Sequence, residues 1–181
     1  MERVLLRAAL YYDLQPTYDP SSLPVIELAA GSTPGCYRDM SKRQEPRVQF
    51  AALPFRLVEE RLEVLLITSR ETRRWIIPKG WAEKGTKPHT MAAREAFEEA
   101  GVRGKVGKLP YGSYRYEKRL TENRFVECQV IVFLLEVEQE MEDWPEKGER
   151  ERRWLSPSQA ALAISEGGLV AMLLRLGLPA T

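Results

Sequence analysis

The chain has 181 residues, room for one domain of usual size plus an arm. Its 44% apolar content is ordinary for a globular protein, and a net charge of +1 gives no global field to draw it to nucleic acid or an anionic membrane. No run approaches the roughly 18 apolar residues of a membrane span, and two cysteines, Cys36 and Cys128, make no disulfide framework.

Residues 1–45 carry Pro16, Pro20, Pro24 and Pro34 with Ser, Gly and Asp between them, and no period of 2 or 3.6 persists. They are expected to form an arm, disordered or draped on a neighbour. A domain-swapped contact in a dimer is the sharper alternative. The start, MERVLLRAALYY, has only short apolar runs, which argues against a secretory signal; an organelle-targeting helix is the alternative to the cytoplasmic location expected here.

Residues 46–181 are expected to be one domain. VQFAALPFRLV and RLEVLLITS read as strands meeting at Glu59 and Glu60, and WIIP reads as a short strand ending in Pro-Lys-Gly. A helix follows over about 88–100. Thr86 is read as its N-cap, Pro88 as its first turn and Gly101 as its left-handed C-terminal cap. Met91, Phe97 and Val102 are expected to pack inward. VRGKVGKL, GSYRYEKRL, RFVECQVIVFLLEVE and ERRWLS then read as strands, the second and third a hairpin closed around residues 121–123. Cys128 falls in an apolar strand pattern, as a buried free thiol would, and a reducing cytosol is the simple reading. SPSQAALAISE has a helix cap and a first-turn proline, and LVAMLLRLG is a final apolar helix. Strands on both sides of one helix, with helices at the end, predict an α/β protein with a mixed sheet between helices.

The chemistry concentrates in the central helix. Glu95, Glu98 and Glu99 stand at i, i+3 and i+4, offsets that share one helix face. Like charges so placed repel by a few tenths of a kcal/mol, ~0.2–0.5 per pair. A cation would hold them together, and oxygen-only ligation suits Mg²⁺ or Mn²⁺. An ordinary amphipathic helix with a solvated acidic face is the plain alternative.

Upstream context weighs against the plain reading. With Trp75–Gly80 (WIIPKG) before it, the helix resembles the Nudix hydrolase signature: a glycine, five residues, a glutamate, seven residues, then R-E-U-x-E-E-x-G-U with U apolar. Gly80, Arg94, Glu95, Ala96, Glu98, Glu99, Gly101 and Val102 fall on it with its spacing. Thr86 departs from it, standing where the first glutamate belongs. The resemblance in order of elements covers about residues 47–178 and implies an α/β/α sandwich. It also implies that Glu95, Glu98 and Glu99 bind Mg²⁺ or Mn²⁺, that one of them or a glutamate beyond the helix serves as base, and that the Gly80 carbonyl can join the metal shell. Arg94 is implied to orient a helix carboxylate. Thr86 keeps an oxygen but loses the charge that supports loop and helix in the family.

KGWAEKGTKP, EEAGVRGKVG and DWPEKGERERRWLSP look like the diphosphoinositol polyphosphate phosphohydrolase branch, which also acts on diadenosine polyphosphates. Trp81 and Ala82 replace that branch's usual glycines, which leaves inositol substrates in doubt. ADP-ribose or a nucleoside triphosphate is the runner-up, and a non-catalytic phosphate-ligand-binding module is the alternative of another class. Lys79, Arg74 and Arg115 are the candidate substrate-binding cations among a group of basic residues suited to a polyphosphate. Glu149 and Glu151 are candidates for an extra ligand or base, and His89 is expected at the surface. The expected partner is a small-molecule polyphosphate, with no nucleic acid and no membrane, on a monomer or homodimer.

Overall fold

A computed structural model of the chain describes residues 46–121 and 124–177. The expected arm of residues 1–45, Cys36 and the tip of the predicted hairpin lie outside the described residues. Strands β1 (Arg47–Val58), β2 (Arg61–Thr68), β3 (Trp75–Ile76) and β4 (Lys79–Trp81) precede helix α1 (Pro88–Ala100). Strands β5 (Val102–Val106), β6 (Gly112–Thr121), β7 (Arg124–Glu140) and β8 (Arg152–Leu155) follow, and helices α2 (Pro157–Ala163) and α3 (Gly167–Leu176) end the fold. Glu59 and Glu60, both at positive φ, turn β1 into β2 at the predicted place.

The strands form one mixed sheet with a central path β3-β2-β1-β7-β5. β1 runs parallel to β7 and antiparallel to β2 and β4. Two long strands can each hold two partners along one edge: β1 pairs with β4 near its start and β2 near its end. β7 likewise pairs with β6 and then β5.

Period-two alternation along β1, β2 and β7 sends apolar side chains to both faces. Phe50, Ala52, Leu65, Ile67, Phe133 and Leu135 face α1, against Met91, Ala92, Ala96 and Ala100. Ala51, Leu53, Val64, Leu66, Val132 and Leu134 face α2 and α3, against Ala160, Leu169 and Leu173. The α/β/α sandwich follows from burying both faces of one sheet. Among the described residues no helix is long and apolar enough to cross a membrane.

Three local readings are corrected. The N-cap of α1 is Lys87, in an extended conformation and with no capping side chain, instead of Thr86. Pro88 at the first position supplies the helical φ without needing a capped N–H. Phe97 is only half-buried and lies under the Arg103 guanidinium, 4.1 Å from its ring centre. Residues 79–81, where the sequence predicts a short strand ending in Pro-Lys-Gly, form a strand of their own, β4, because β1 offers that edge a pairing partner. Gly101 adopts the left-handed cap (φ 64°, ψ 34°), and Ser156 caps α2 reciprocally with Gln159, as read from sequence.

Candidate active site

The site forms where β4 passes under α1. Gly80, mid-strand, pairs with Phe50 and so turns toward α1. Glu95 occupies the space a side chain there would need: a Cβ on Gly80 would lie 2.0 Å from Glu95 Oε1. One helical turn on, the backbone N–H of Lys79 donates to Glu99 Oε2 at 3.0 Å. Glu95 and Glu99 therefore both address β4, as their i, i+4 spacing requires.

Burial and neighbouring charge act together on these acids. Glu95 is pushed up to about 7, first by burial and then by the charges of Glu99 and Glu98. Glu99, only 8% exposed, is pushed up by burial, while Arg150 and the Lys79 N–H pull it back. Glu98 lies on the outer flank of the same face, with Arg94 Nε 3.8 Å away. Among the described residues no three acidic, histidine or cysteine side chains converge as a closed ligand cluster. Arginines engage Glu98 and Glu99 instead.

Arg150 is the buried member of that arrangement, its side chain 5% exposed. It donates to Glu99, to Glu146 Oε2 at 2.6 Å and to the carbonyl of Thr68 at 2.9 Å. The 141–151 loop that carries it is tied to α1, with the Glu146 N–H donating to the Glu98 carbonyl at 3.1 Å. Glu146 is thus the loop carboxylate beside the helix. Glu149 and Glu151, the sequence candidates, lie outward against Arg70 and Arg73.

The candidate cations separate. Lys79 pairs in register with Ala51, and its amine lies on the α2–α3 side, 5.8 Å above the Tyr116 ring. Burial lowers it to about 8 against the pull of Glu99 and Glu166. Arg74, in the β2–β3 loop, donates to Thr72 and acts on Tyr116 through its charge. Arg115 is exposed on β6, 3.3 Å from Glu127; no described bond joins it to the carboxylates. His89 is half-buried, its ring centre 6.4 Å from that of Phe133 in an edge arrangement.

The arrangement is a carboxylate face, backed by Gly80 and flanked by Arg94 and Arg150, with the half-buried Lys79 just before that glycine on β4. A family model described as NUDIX domain matches residues 46–173. The chain belongs to the Nudix family. It is 38% identical over 103 residues to Nudix hydrolase 12, mitochondrial, of Arabidopsis thaliana, covering 55% of this chain and 51% of that one. To diphosphoinositol polyphosphate phosphohydrolase 3-beta of Bos taurus it is 32% identical over 130 residues, covering 69% and 75%. The chain spans about half the length of the plant relative. A crystal structure of a C. elegans Ap4A hydrolase binary complex superposes with a TM-score of 0.54 over 71% of this chain and 93% of that one. At 16% identity that likeness concerns the fold alone.

Within this Nudix domain three polar residues escaped the sequence reading: Glu83, Glu146 and Arg150. Glu146 and Arg150 lie in a charged loop without periodicity, where nothing local distinguishes a buried ion from a solvated one. Glu83 lies three residues before the departing Thr86, and Arg94 Nη2 reaches it at 2.5 Å.

Proposed function

We propose that this protein hydrolyses a diphosphate linkage in a nucleoside or inositol polyphosphate, of diadenosine or diphosphoinositol type, with Mg²⁺ or Mn²⁺. The observation that carries this is the α1 carboxylate face, with Glu95 packed over Gly80, Glu99 bonded to the Lys79 N–H and Glu98 on the flank, and with Glu95 raised to about 7 partly by the other two.

The residues fit a hard divalent cation. All are oxygen donors, their mutual repulsion is the kind a cation relieves, and Gly80 leaves the backbone bare beside Glu95. Glu95, Glu98 and Glu99 would hold the ion, with the Gly80 carbonyl as a further donor. Bound there, the ion would neutralise phosphate oxygens and make water nucleophilic. Arg94 faces Glu98 at the flank of this face, its Nε 3.8 Å away, and the Lys79 N–H fixes Glu99 against β4. Lys79 and Arg74 lie near Tyr116, on the other side of β4 from the carboxylate face.

The named activity of the bovine protein supports a polyphosphate substrate of diphosphoinositol type. We keep the cytoplasm as the proposed location, to be checked by fractionation. The deciding experiment incubates the protein with Mg²⁺ or Mn²⁺ and a panel: a diadenosine polyphosphate, a diphosphoinositol phosphate, ADP-ribose and nucleoside triphosphates. Cleavage of one of the first two, abolished by chelator, is expected. Preferential cleavage of ADP-ribose or a triphosphate would move the substrate class. Tight binding without turnover across the panel would replace the enzyme by a binding module.

A further inference from the structure

Thr86 stands where the family signature has a glutamate that supports loop and helix, and Arg94 of α1 meets a loop carboxylate three residues before that position, at Glu83. We propose that Glu83 supplies that support from across a turn, acting as a positioning residue for the carboxylate face through Arg94. The inference rests on the metal-dependent reading above.

The geometry is that of a four-residue turn. The Thr86 N–H donates to the Glu83 carbonyl at 3.3 Å, and Gly85, the third residue, sits at φ 86°. Positive φ at that position is what a type II turn demands and what glycine provides. The first and last residues of such a turn lie within about 7 Å of each other. Glu83, the first residue of the turn, therefore lies close in space to position 86, the last.

Arg94 is the partner. Its Nη2 is 2.5 Å from Glu83 Oε1, while its Nε lies 3.8 Å from Glu98 Oε1. That Nε is buried and has no hydrogen-bond partner. Glu83 therefore anchors the far end of a guanidinium whose near end faces Glu98. Loop, arginine and helix carboxylate form one chain of contacts: Glu83, Arg94, Glu98. Both Glu83 and Arg94 are substantially exposed, 52% and 39% by side chain. An exposed pair of this kind contributes little to stability, so its effect belongs in the placement of Glu98.

Mn²⁺ titration of the full chain, followed by the electron paramagnetic resonance of free Mn²⁺, reads this without any substrate. Glu83→Gln is expected to weaken Mn²⁺ about tenfold, the usual loss when a ligand's outer partner is removed. Its melting temperature should stay within about 2 °C of wild type. Adding Thr86→Glu to Glu83→Gln should restore affinity to within about twofold, whereas adding Thr86→Gln should not. Unchanged affinity in Glu83→Gln overturns the proposal, as does a loss that Thr86→Glu fails to restore. Those results leave the metal-dependent reading standing. Wild type that binds no Mn²⁺ overturns both.

Discussion

Gly80→Ala adds one carbon where α1 leaves no room. The new Cβ would lie 2.0 Å from Glu95 Oε1, 2.2 Å from Cδ and 2.7 Å from Oε2, against a floor of 3.0 Å for real Cβ contacts. The nearest contact is short by 3.0 − 2.0 = 1.0 Å. Backbone is not what yields, because the obstruction is the far end of a flexible side chain. The Gly80 backbone is not in the left-handed region, so alanine itself is tolerated there. Swinging Glu95 off its rotamer costs about 0.5–1.5 kcal/mol. Replacing glycine by alanine at a compatible backbone returns about 0.4–1 kcal/mol through the unfolded chain. Net stability should change by less than about 1 kcal/mol, a few degrees in melting temperature. Catalysis should not be spared: with the Glu95 carboxylate displaced, a loss of about 10- to 100-fold is expected. Thermal melts and initial rates on the same preparation separate the two effects. Wild-type turnover in Gly80→Ala would refute the placement of Glu95 in the site. A loss of more than about 3 kcal/mol of stability would show that the contact is part of the packed core instead.

Four further substitutions test neighbouring parts of the account. Glu98→Gln should cut the rate about 10- to 100-fold with little change in melting, since Glu98 is half-exposed at the helix flank. Glu99→Gln should lose as much activity and, in addition, about 1.5–3 kcal/mol of stability by weakening a charged hydrogen bond to buried Arg150; equal melting curves for the two variants would contradict this. In chelator, Glu95→Gln tests the weakened acidity of Glu95. A carboxyl lifted from 4.5 to about 7 resists ionisation in the folded state, so wild-type stability is unpenalised below about 4.5 and declines as pH rises to about 7. The variant should therefore gain on wild type across that window, with the difference level above it; a difference independent of pH would remove the shift. Gly85→Ala, at φ 86° with open space around its Cβ, should cost about 1–2 kcal/mol from backbone alone, and a fully stable variant would contradict the turn.

Much of the fold could be read because it rests on period. Both-face burial of β1, β2 and β7 leaves continuous apolar runs, Pro88 and Gly101 bracket α1, and Ser156-Pro157 opens α2. The spacing of Glu95, Glu98 and Glu99 likewise survives in one dimension, because helix geometry maps it directly onto a face. What was lost depends on contacts distant in sequence. β4 exists because β1 has a free edge at residues 49–51. Arg150 is buried because three acceptors from α1, β2 and its own loop meet around it, whereas its sequence neighbours Glu149 and Glu151 are drawn outward by Arg70 and Arg73. Lys87 rather than Thr86 stands at the N-cap position of α1, with no capping side chain, because the helix begins at Pro88.

Phosphorus-31 NMR of a diadenosine polyphosphate and a diphosphoinositol phosphate, each incubated with wild type in Mg²⁺, in chelator, and with Glu98→Gln in Mg²⁺, tests the central claim most directly. The account predicts that wild type in Mg²⁺ converts anhydride resonances of at least one substrate to terminal phosphate resonances. Chelator should stop the conversion, and Glu98→Gln should slow it at least tenfold. Conversion that persists in chelator, or that proceeds at the wild-type rate in Glu98→Gln, would contradict a metal-dependent hydrolase built on the α1 carboxylates.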